Sequence, residues 1–296
     1  MNKEEITNYK KAGEIARKVK EYARSIIKKD MPLLEIAEKI ERMIIELNAM
    51  PAFPVNLSMN EIAAHYTPAY SDETKASGLL KIDFGVCVDG CIVDVAFSMD
   101  LENNEENKML ILASEKALAS AIEVAKKEKN IQIWEIGNVI QEEITKFGFS
   151  PIKNLSGHEL GEYRIHAGIT IPNTNNGNKI VLEEGAYAIE PFATNGIGSV
   201  YEAGKSGIYS FKEKKAVRNT EARKLLAFIE EEYKTLPFCS RWLVKKFGTK
   251  ALFSLSLLEK DGILHHYPQL VEKGKGKVSQ AENTILISDE KIEVLG

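Results

Sequence analysis

Two aspartates interrupt a segment that is otherwise typical of a buried β-hairpin. The segment from Leu80 to Met99, LKIDFGVCVDGCIVDVAFSM, contains Asp-Gly at positions 89–90 between two runs rich in apolar and β-branched residues. This is the strongest short-range signal for a two-residue hairpin turn. In that register Gly85 faces Asp94, and alternation along each strand places Asp83 and Asp94 on one face. The other face is wholly apolar, so we expect it to pack in the core.

The two aspartates are diagonal neighbours in this hairpin, with β-carbons about 7 to 8 Å apart or less. Gly85 leaves the space between them open. Two buried carboxylates at this distance repel each other unless one takes up a proton or a cation lies between them. A pair of divalent metal ions is one interpretation. The alternatives are that a carboxylate reaches water at a sheet edge, or that the register shifts by one residue and separates the pair.

Composition and charge restrict the class of protein. The 296 residues, 44% hydrophobic and 28% charged, fit one large soluble domain or two average ones. A net charge of -4 gives no reason to expect a nucleic-acid or membrane surface. The cysteines, Cys87, Cys91 and Cys239, have no disulfide or zinc spacing. The N-terminus lacks a signal-peptide core and no segment approaches a membrane span, so we expect a cytoplasmic protein.

Apolar periodicity predicts the order of the elements. Helices are predicted at about Glu4–Lys28, Pro32–Asn48, Glu105–Glu128 and Gln132–Phe147, strands at Ile165–Ile171, Ala186–Phe192, Ser199–Glu202 and within 278–288, and a helical block at about Asn219–Gly262. The order of two helices followed by strands occurs twice along the chain, which indicates an internal duplication of structure. The helical block is predicted to be a packed insertion between strands of one α+β domain.

If the hairpin binds metal ions, other segments must supply further ligands. His158 lies in NLSGHELG, a predicted glycine-flanked bend, and Glu190 ends an apolar strand that a proline stops. Glu282 lies near the start of the last predicted strand, where an exposed edge glutamate is the alternative. A carboxylate at the end of a buried strand is costly unless it is paired or bound to metal. His265 and His266 are interpreted as surface residues of a loop.

These candidates have the charge and chemistry of a two-metal site. The set consists of Asp83, Asp94, His158, Glu190 and Glu282. Four carboxylates balance two divalent ions, and oxygen donors with one imidazole suit Mn, Fe(II), Co or Zn rather than a structural zinc site with sulfur ligands. Two metals about 3.5 to 4 Å apart acidify a bridging water and polarise a carbonyl, as in a hydrolase.

Several long motifs in the same order resemble one family. PAFPVNLSMNEIAAHYTP, KIDFGVCVDGCIVDVAFS, NLSGHELGEYRIHAGITIPN, AIEPFAT, TLPFCSRWL and SQAENTILI are similar to segments of the methionine aminopeptidases, in the archaeal form of the type 2 branch, over essentially the whole chain. The resemblance implies an α+β pita-bread fold with pseudo-twofold halves. It also implies a catalytic domain at 1–210 and 273–296 with a helical type 2 insertion at 211–272.

The resemblance also implies a role for each candidate ligand. Asp83 would bind one metal ion, His158 and Glu190 the other, and Asp94 and Glu282 would bridge both. The glutamate at the position of Glu190 is also a candidate proton shuttle in the family. The cofactors would be two divalent ions, with Co, Mn, Fe(II) and Zn left open.

The substrate residues are implied by the resemblance alone. His65 and His166 fall on positions that contact the substrate and stabilise the tetrahedral oxyanion or the leaving amine. Phe53, Ile165 and Tyr267 would form the pocket for the methionine side chain. Without the resemblance, Phe53 would be interpreted as an ordinary core residue.

The implied reaction is removal of the N-terminal methionine from peptides and nascent proteins by a metal-bridging hydroxide. The partners would be a peptide or nascent-chain N-terminus and, transiently, the ribosome. We expect a monomer with no nucleic-acid or membrane partner. One alternative is an Xaa-Pro peptidase of the same fold, although such relatives carry an N-terminal domain and only 82 residues precede Asp83. The other is a metal-free binding scaffold, which the five retained chelating side chains disfavour.

One motif departs from the family pattern. The family usually reads Gln-Phe-Glu-His-Thr where this chain has Gln-Ala-Glu-Asn-Thr at 280–284. The ligand Glu282 is kept, but Ala281 and Asn283 change its packing and hydrogen bonding. Such changes can alter metal affinity about 10- to 100-fold. We therefore expect metal preference and rate to differ more than the activity itself.

Overall fold

The computed structural model describes residues 1–127, 130–288 and 291–296. The helices are α1 (Lys3–Ile26), α2 (Leu33–Glu46), α3 (Glu105–Lys127), α4 (Ile133–Lys146), α5 (Thr220–Glu232), α6 (Ser240–Phe247) and α7 (Ala251–Lys260). The strands are β1 (Met50–Pro51), β2 (Asn56–Met59), β3 (Ile62–Ala64), β4 (Leu79–Val88), β5 (Cys91–Asp100), β6 (Ser150–Pro151), β7 (Ser156–Leu160), β8 (Thr170–Pro172), β9 (Gly185–Ile189), β10 (Phe192–Thr194), β11 (Val200–Phe211), β12 (Phe238–Cys239), β13 (Leu264–Glu272), β14 (Val278–Gln280), β15 (Asn283–Ile287) and β16 (Ile292–Leu295).

The predicted hairpin is formed by β4 and β5 in the predicted register. Gly85 pairs with Asp94, and the turn residues Asp89 and Gly90 have φ of 48° and 88°. Positive φ at both central residues is what a type I′ turn requires, and Asp-Gly adopts it readily. The apolar face of the hairpin is buried beneath α1 and α2 in the first of the two main cores.

The internal duplication is confirmed by the order and length of the elements. Helices α1 and α2 are followed by β1 and β2, and α3 and α4 by β6 and β7; α2 and α4 have 14 residues each. The first pair packs on the β4–β5 hairpin, and the second pair packs on β9 and β15 around a separate core. The four predicted helices agree with the structure within two residues, except that the predicted end of the third, Glu128, lies outside the described residues.

The two halves meet where β5 runs antiparallel to the segment that links β14 to β15. Ala96 and Glu282 form an isolated β-bridge there, and the Glu282 N–H donates to the Ala96 carbonyl at 3.0 Å. Two residues further along, the Thr284 hydroxyl accepts from the Asp94 N–H at 2.8 Å and donates to the Asp94 carbonyl at 2.9 Å. We call this contact the seam. It places Asp94 of one half beside Glu282 of the other.

Several sequence predictions about strands were wrong. The stretch 165–169 is not a strand, and the predicted segment Ile165–Ile171 overlaps β8 (Thr170–Pro172) only in its last two residues. His158 lies in β7 rather than in a bend. Gly157 is required there because an added Cβ would lie 2.2 Å from the Ala188 carbonyl oxygen of the neighbouring strand. The glycine therefore reflects close strand packing rather than a turn.

The helical block is confirmed as α5 to α7, which surround a core of their own. His265 and His266, predicted in a loop, lie in β13, which pairs with β11 along its length. Pro268 within this strand conceals the pattern, because proline usually marks an edge strand or a loop. None of the described helices combines the length and the apolar character needed to cross a membrane.

Candidate active site

All ten predicted site residues line one cavity of about 340 Å³. They are Phe53, His65, Asp83, Asp94, His158, Ile165, His166, Glu190, Tyr267 and Glu282. They come from both halves of the chain and from the strand that follows the helical block. The space beside Gly85 is not open as predicted. The ring of Phe53 and the methyl of Ala52 fill it, and Phe53 is one of the residues that line the cavity.

The five candidate metal ligands lie close together in this cavity. Ligand atoms of Asp94, His158 and Glu282 all lie within 4.8 Å of one another, a group that could hold a metal ion. His158 Nε2 is 3.7 Å from Asp94 Oδ2 and 3.6 Å from Glu190 Oε1. Glu282 is 1% exposed, so the alternative of an exposed edge glutamate is wrong.

Burial determines the protonation of the cluster in the absence of metal. It raises the pKa of Asp83 to about 7, and it raises the pKa of Asp94 and Glu190 well above their ordinary values, with the charge of Asp83 adding to the effect. The pKa of Glu282 is also raised well above its ordinary value, by burial and then by the neighbouring carboxylates. Burial lowers the pKa of His158 to about 3. Its imidazole is therefore neutral, the form that binds metal.

The donor set fits divalent cations. Asp83 Oδ1 and Asp94 Oδ1 are buried and lack a hydrogen-bond partner, which is rare for a carboxylate oxygen. Among the described residues, no lysine or arginine nitrogen lies within 4 Å of the four carboxylates. Buried carboxylates need a counter-charge. Cations held by their oxygens would supply it, and carboxylates with one imidazole suit Mn, Fe(II), Co or Zn.

His65 and His166 also line the cavity. The His65 Nδ1 is 3.0 Å from the Pro268 carbonyl, so this nitrogen carries the proton and Nε2 keeps its lone pair. Burial lowers the pKa of His65 to about 4 and also lowers that of His166. The His166 ring meets the His158 ring edge-on at 4.5 Å, and the Tyr267 ring is 5.7 Å from His65. Both histidines are neutral at pH 7.

Gln280 was not predicted as a site residue, although it belongs to the quoted motif. Its side-chain nitrogen lies 3.3 Å from a carboxylate oxygen of each of Asp83, Glu190 and Glu282. The position two residues before Glu282 was a usable signal, because alternate residues of an extended segment share a face. Asn283, where the family usually has histidine, donates to the Gly296 carbonyl at 3.2 Å, and Ala281 is 3% exposed.

The raised pKa values predict how the metal-free protein responds to pH. The unfolded chain releases carboxyl protons near pH 4, whereas in the folded protein burial raises the pKa of Asp83 to about 7 and raises the pKa of Asp94 and Glu282 well above their ordinary values. Between these limits the folded state binds more protons, so raising the pH lowers the free energy of unfolding. Lys81 has the opposite effect. Burial lowers its pKa to about 7, so above that pH the unfolded chain keeps a proton that the folded protein has lost, and raising the pH then increases the free energy of unfolding.

We therefore expect the Tm of the metal-free protein to fall as the pH rises from 6.5 to 8. At the lower end His65, His158 and His166 oppose the fall, because their lowered pKa leaves them neutral in the folded state while the unfolded chain protonates them. At the upper end they contribute little, because they are neutral in both states. Calorimetry in the presence of a chelator measures the slope, and the variant Glu282→Gln is the control, since it removes one of the acids. Equal slopes in the two proteins would contradict the expectation.

Comparison with known proteins agrees with this geometry. The model of the family described as metallopeptidase family M24 matches residues 7–232. A methionine aminopeptidase of Pyrococcus abyssi is 48% identical over 288 residues, which cover 96% of each chain.

Two solved structures show the same fold. The structure of a thermophilic Arx1 superposes with a TM-score of 0.85 at 18% identity and covers 100% of this chain and 91% of its own. A methionine aminopeptidase from Thermotoga maritima has a TM-score of 0.72 at 21% identity, covering 100% and 97%. The predicted α+β pita-bread fold is confirmed. The chain therefore belongs to metallopeptidase family M24 and, within it, to the methionine aminopeptidases.

Proposed function

We propose that this chain removes the N-terminal methionine from peptides and nascent proteins with the help of two divalent metal ions. The observation that carries the proposal is the convergence of four carboxylates, of which Asp94 and Glu282 are buried, and a neutral imidazole in a cavity that also holds two neutral histidines. The 48% identity to a methionine aminopeptidase supports the choice of substrate. The enzyme would be a monomer, and it would meet its nascent-chain substrate during transient contact with the ribosome.

In this proposal Asp83 would hold one ion, His158 and Glu190 would hold the other, and Asp94 and Glu282 would serve both. When bound, two such ions would lower the pKa of a water molecule and polarise the substrate carbonyl. The positive charge of the ions would lower the pKa of the four carboxyl groups, so that all four would be ionised, since a nearby opposite charge favours the charged form. The seam is important here, because it fixes Asp94 and Glu282 from different halves at the same place.

The two histidines take different tasks. The His65 Nδ1 faces the Pro268 carbonyl, so its Nε2 is left to accept a hydrogen bond from an N–H of the peptide. His166 is neutral and keeps one N–H, which we assign to the carbonyl oxygen as negative charge develops there. Glu190 would take the proton that the attacking water gives up and return it to the leaving nitrogen, since one carboxylate can act first as a base and then as an acid.

Phe53, Ile165 and Tyr267 are proposed to contact the methionine side chain. All three line the cavity, and Phe53 and Ile165 are each 7% exposed. Tyr267 and Pro237 both lie within the proposed insertion at 211–272 and line the same cavity. The insertion therefore contributes directly to the substrate pocket in this proposal.

Methionine release from Met-Ala-Ser tests the function. Protein stripped with a chelator is expected to be inactive, because no side chain in the cavity replaces the cations, and to regain turnover when titrated with Mn, Fe(II), Co or Zn. An Xaa-Pro peptide serves as the comparison substrate. Faster cleavage of that peptide would favour the Xaa-Pro peptidase instead. Failure to bind metal, together with no turnover of either peptide, would favour a binding scaffold.

A further inference from the structure

We propose that Gln280 is the positioning residue of the metal centre, and that its amide holds three ligand carboxylates in place before the ions bind. This rests on the proposed function, because it assigns a role within the same site. Gln280 Nε2 lies 3.3 Å from Asp83 Oδ2, Glu190 Oε2 and Glu282 Oε2. Within the described ranges no other side chain donates a hydrogen bond to these three carboxylates.

The three carboxylates come from separate parts of the chain. Asp83 lies in β4, Glu190 follows β9, and Glu282 lies between β14 and β15. An amide nitrogen offers two hydrogens, so three acceptors must share them. The distances of 3.3 Å are longer than the usual value of about 2.9 Å. Gln280 is therefore a shared donor at the centre of the acids rather than the partner of one of them.

The orientation of the amide favours this role. The other end of the side chain, Oε1, is buried and has no hydrogen-bond partner, which is unfavourable for an acceptor. Reversing the amide would turn this oxygen toward the three carboxyl groups, where it would repel each one that is ionised. The orientation that attracts the acids is thus kept although it leaves Oε1 without a donor.

Gln280 is itself held from the opposite half of the molecule. The Ser98 hydroxyl accepts from the Gln280 N–H at 2.9 Å and donates to the Gln280 carbonyl at 2.7 Å. Ser98 and Gln280 are 2% and 1% exposed. This contact is the counterpart, across the seam, of the one between Thr284 and Asp94. The backbone that carries the amide is therefore fixed relative to β5.

The variant Gln280→Met tests the proposal, because methionine keeps an unbranched side chain of similar length and has no N–H donor. We expect dissociation constants for Co(II) and Mn(II), measured by calorimetry, to rise about 10- to 100-fold, the usual effect of losing a residue that orients metal ligands. The visible absorption bands of the Co(II) protein should shift as well. A residue that only supported the fold would not change these bands.

The matched control is Ser279→Ala. Ser279 is buried in the same strand, but its hydroxyl faces Leu110 and Ser114, away from the acids. Its replacement should leave metal binding unchanged. If Gln280→Met does not fold, Ser98→Ala provides the second test, because it keeps the glutamine and loosens only its backbone, and weaker Co(II) binding is again expected.

The outcomes separate this inference from the proposed function. Folded Gln280→Met that binds Co(II) as tightly as the unaltered protein, with the same absorption bands, overturns the positioning role and leaves the function intact. Unchanged Co(II) binding by Ser98→Ala, where Gln280→Met cannot be prepared, also overturns it. If the unaltered protein binds neither ion, the proposed function fails, and the positioning role fails with it.

Discussion

Asp94→Asn is expected to lower the turnover of Met-Ala-Ser at least about a thousandfold, because a catalytic metal supplies several kcal/mol and each 1.36 kcal/mol is worth tenfold in rate. Asp94 is 3% exposed and belongs to the candidate metal group. An amide has the same size but lacks the charge that holds a cation. Glu282→Gln should behave in the same way. Turnover and metal content, by elemental analysis of the purified protein, are the two measurements.

Asp89→Asn is the matched control for this experiment. Asp89 lies at the exposed turn of the same hairpin with φ of 48°, a conformation that asparagine adopts readily. The control should keep full turnover and metal content. Circular dichroism should show an intact fold in all variants. Full turnover in a metal-free Asp94→Asn, Glu282→Gln double variant would rule out the proposed chemistry.

Glu41→Ala is expected to reduce the free energy of unfolding by about 3 to 5 kcal/mol, the usual cost of leaving one member of a buried ion pair alone. Glu41 in α2 and Arg241 in α6 form two hydrogen bonds of 2.7 Å and are 6% and 2% exposed. Arg241 also donates to the Pro68 carbonyl, and the Val55 N–H donates to Glu41. Urea denaturation monitored by circular dichroism measures the loss.

Glu38→Ala is the control for this prediction. Glu38 in α2 pairs with Lys245 in α6 at 3.4 Å, but the two side chains are 32% and 68% exposed. An exposed pair is worth about 0 to 1 kcal/mol, so the control should change stability little. Equal losses for both variants would contradict the assignment. Turnover should also fall in Glu41→Ala, because the pair fixes the ends of the segment that carries His65.

The hairpin could be predicted because its signals are local. Asp89 and Gly90 determine the turn, the turn sets the register, and the register places Asp83 and Asp94 on one face. No contact with the rest of the chain is needed for any of these steps. The helices were predictable for the same reason, since their apolar periodicity lies within one segment.

The failures concern contacts between distant segments. Gly157 allows β7 to approach the Ala188 carbonyl, and only the neighbouring strand reveals this. Phe53 fills the space beside Gly85, and Gln280 meets carboxylates from three segments, two of which are remote in sequence. A single segment contains no trace of such partners. The candidate ligands could be found because acidic residues are unusual in apolar segments. The sequence around Gln280 or Phe53 contains no comparable signal that the residue belongs to a site.

Because the seam brings ligands from both halves together, the proposed ions would also hold the two halves to each other. One backbone bridge, between Ala96 and Glu282, joins β5 to the opposite half, with a hydroxyl contact on either side. Ions held by carboxylates from both halves would link the two halves at the seam, and their binding free energy would add to the free energy of unfolding. If the proposed ions bind, we expect them to resist separation of the two halves, so that a peptide would enter through side-chain movements rather than by hinge opening.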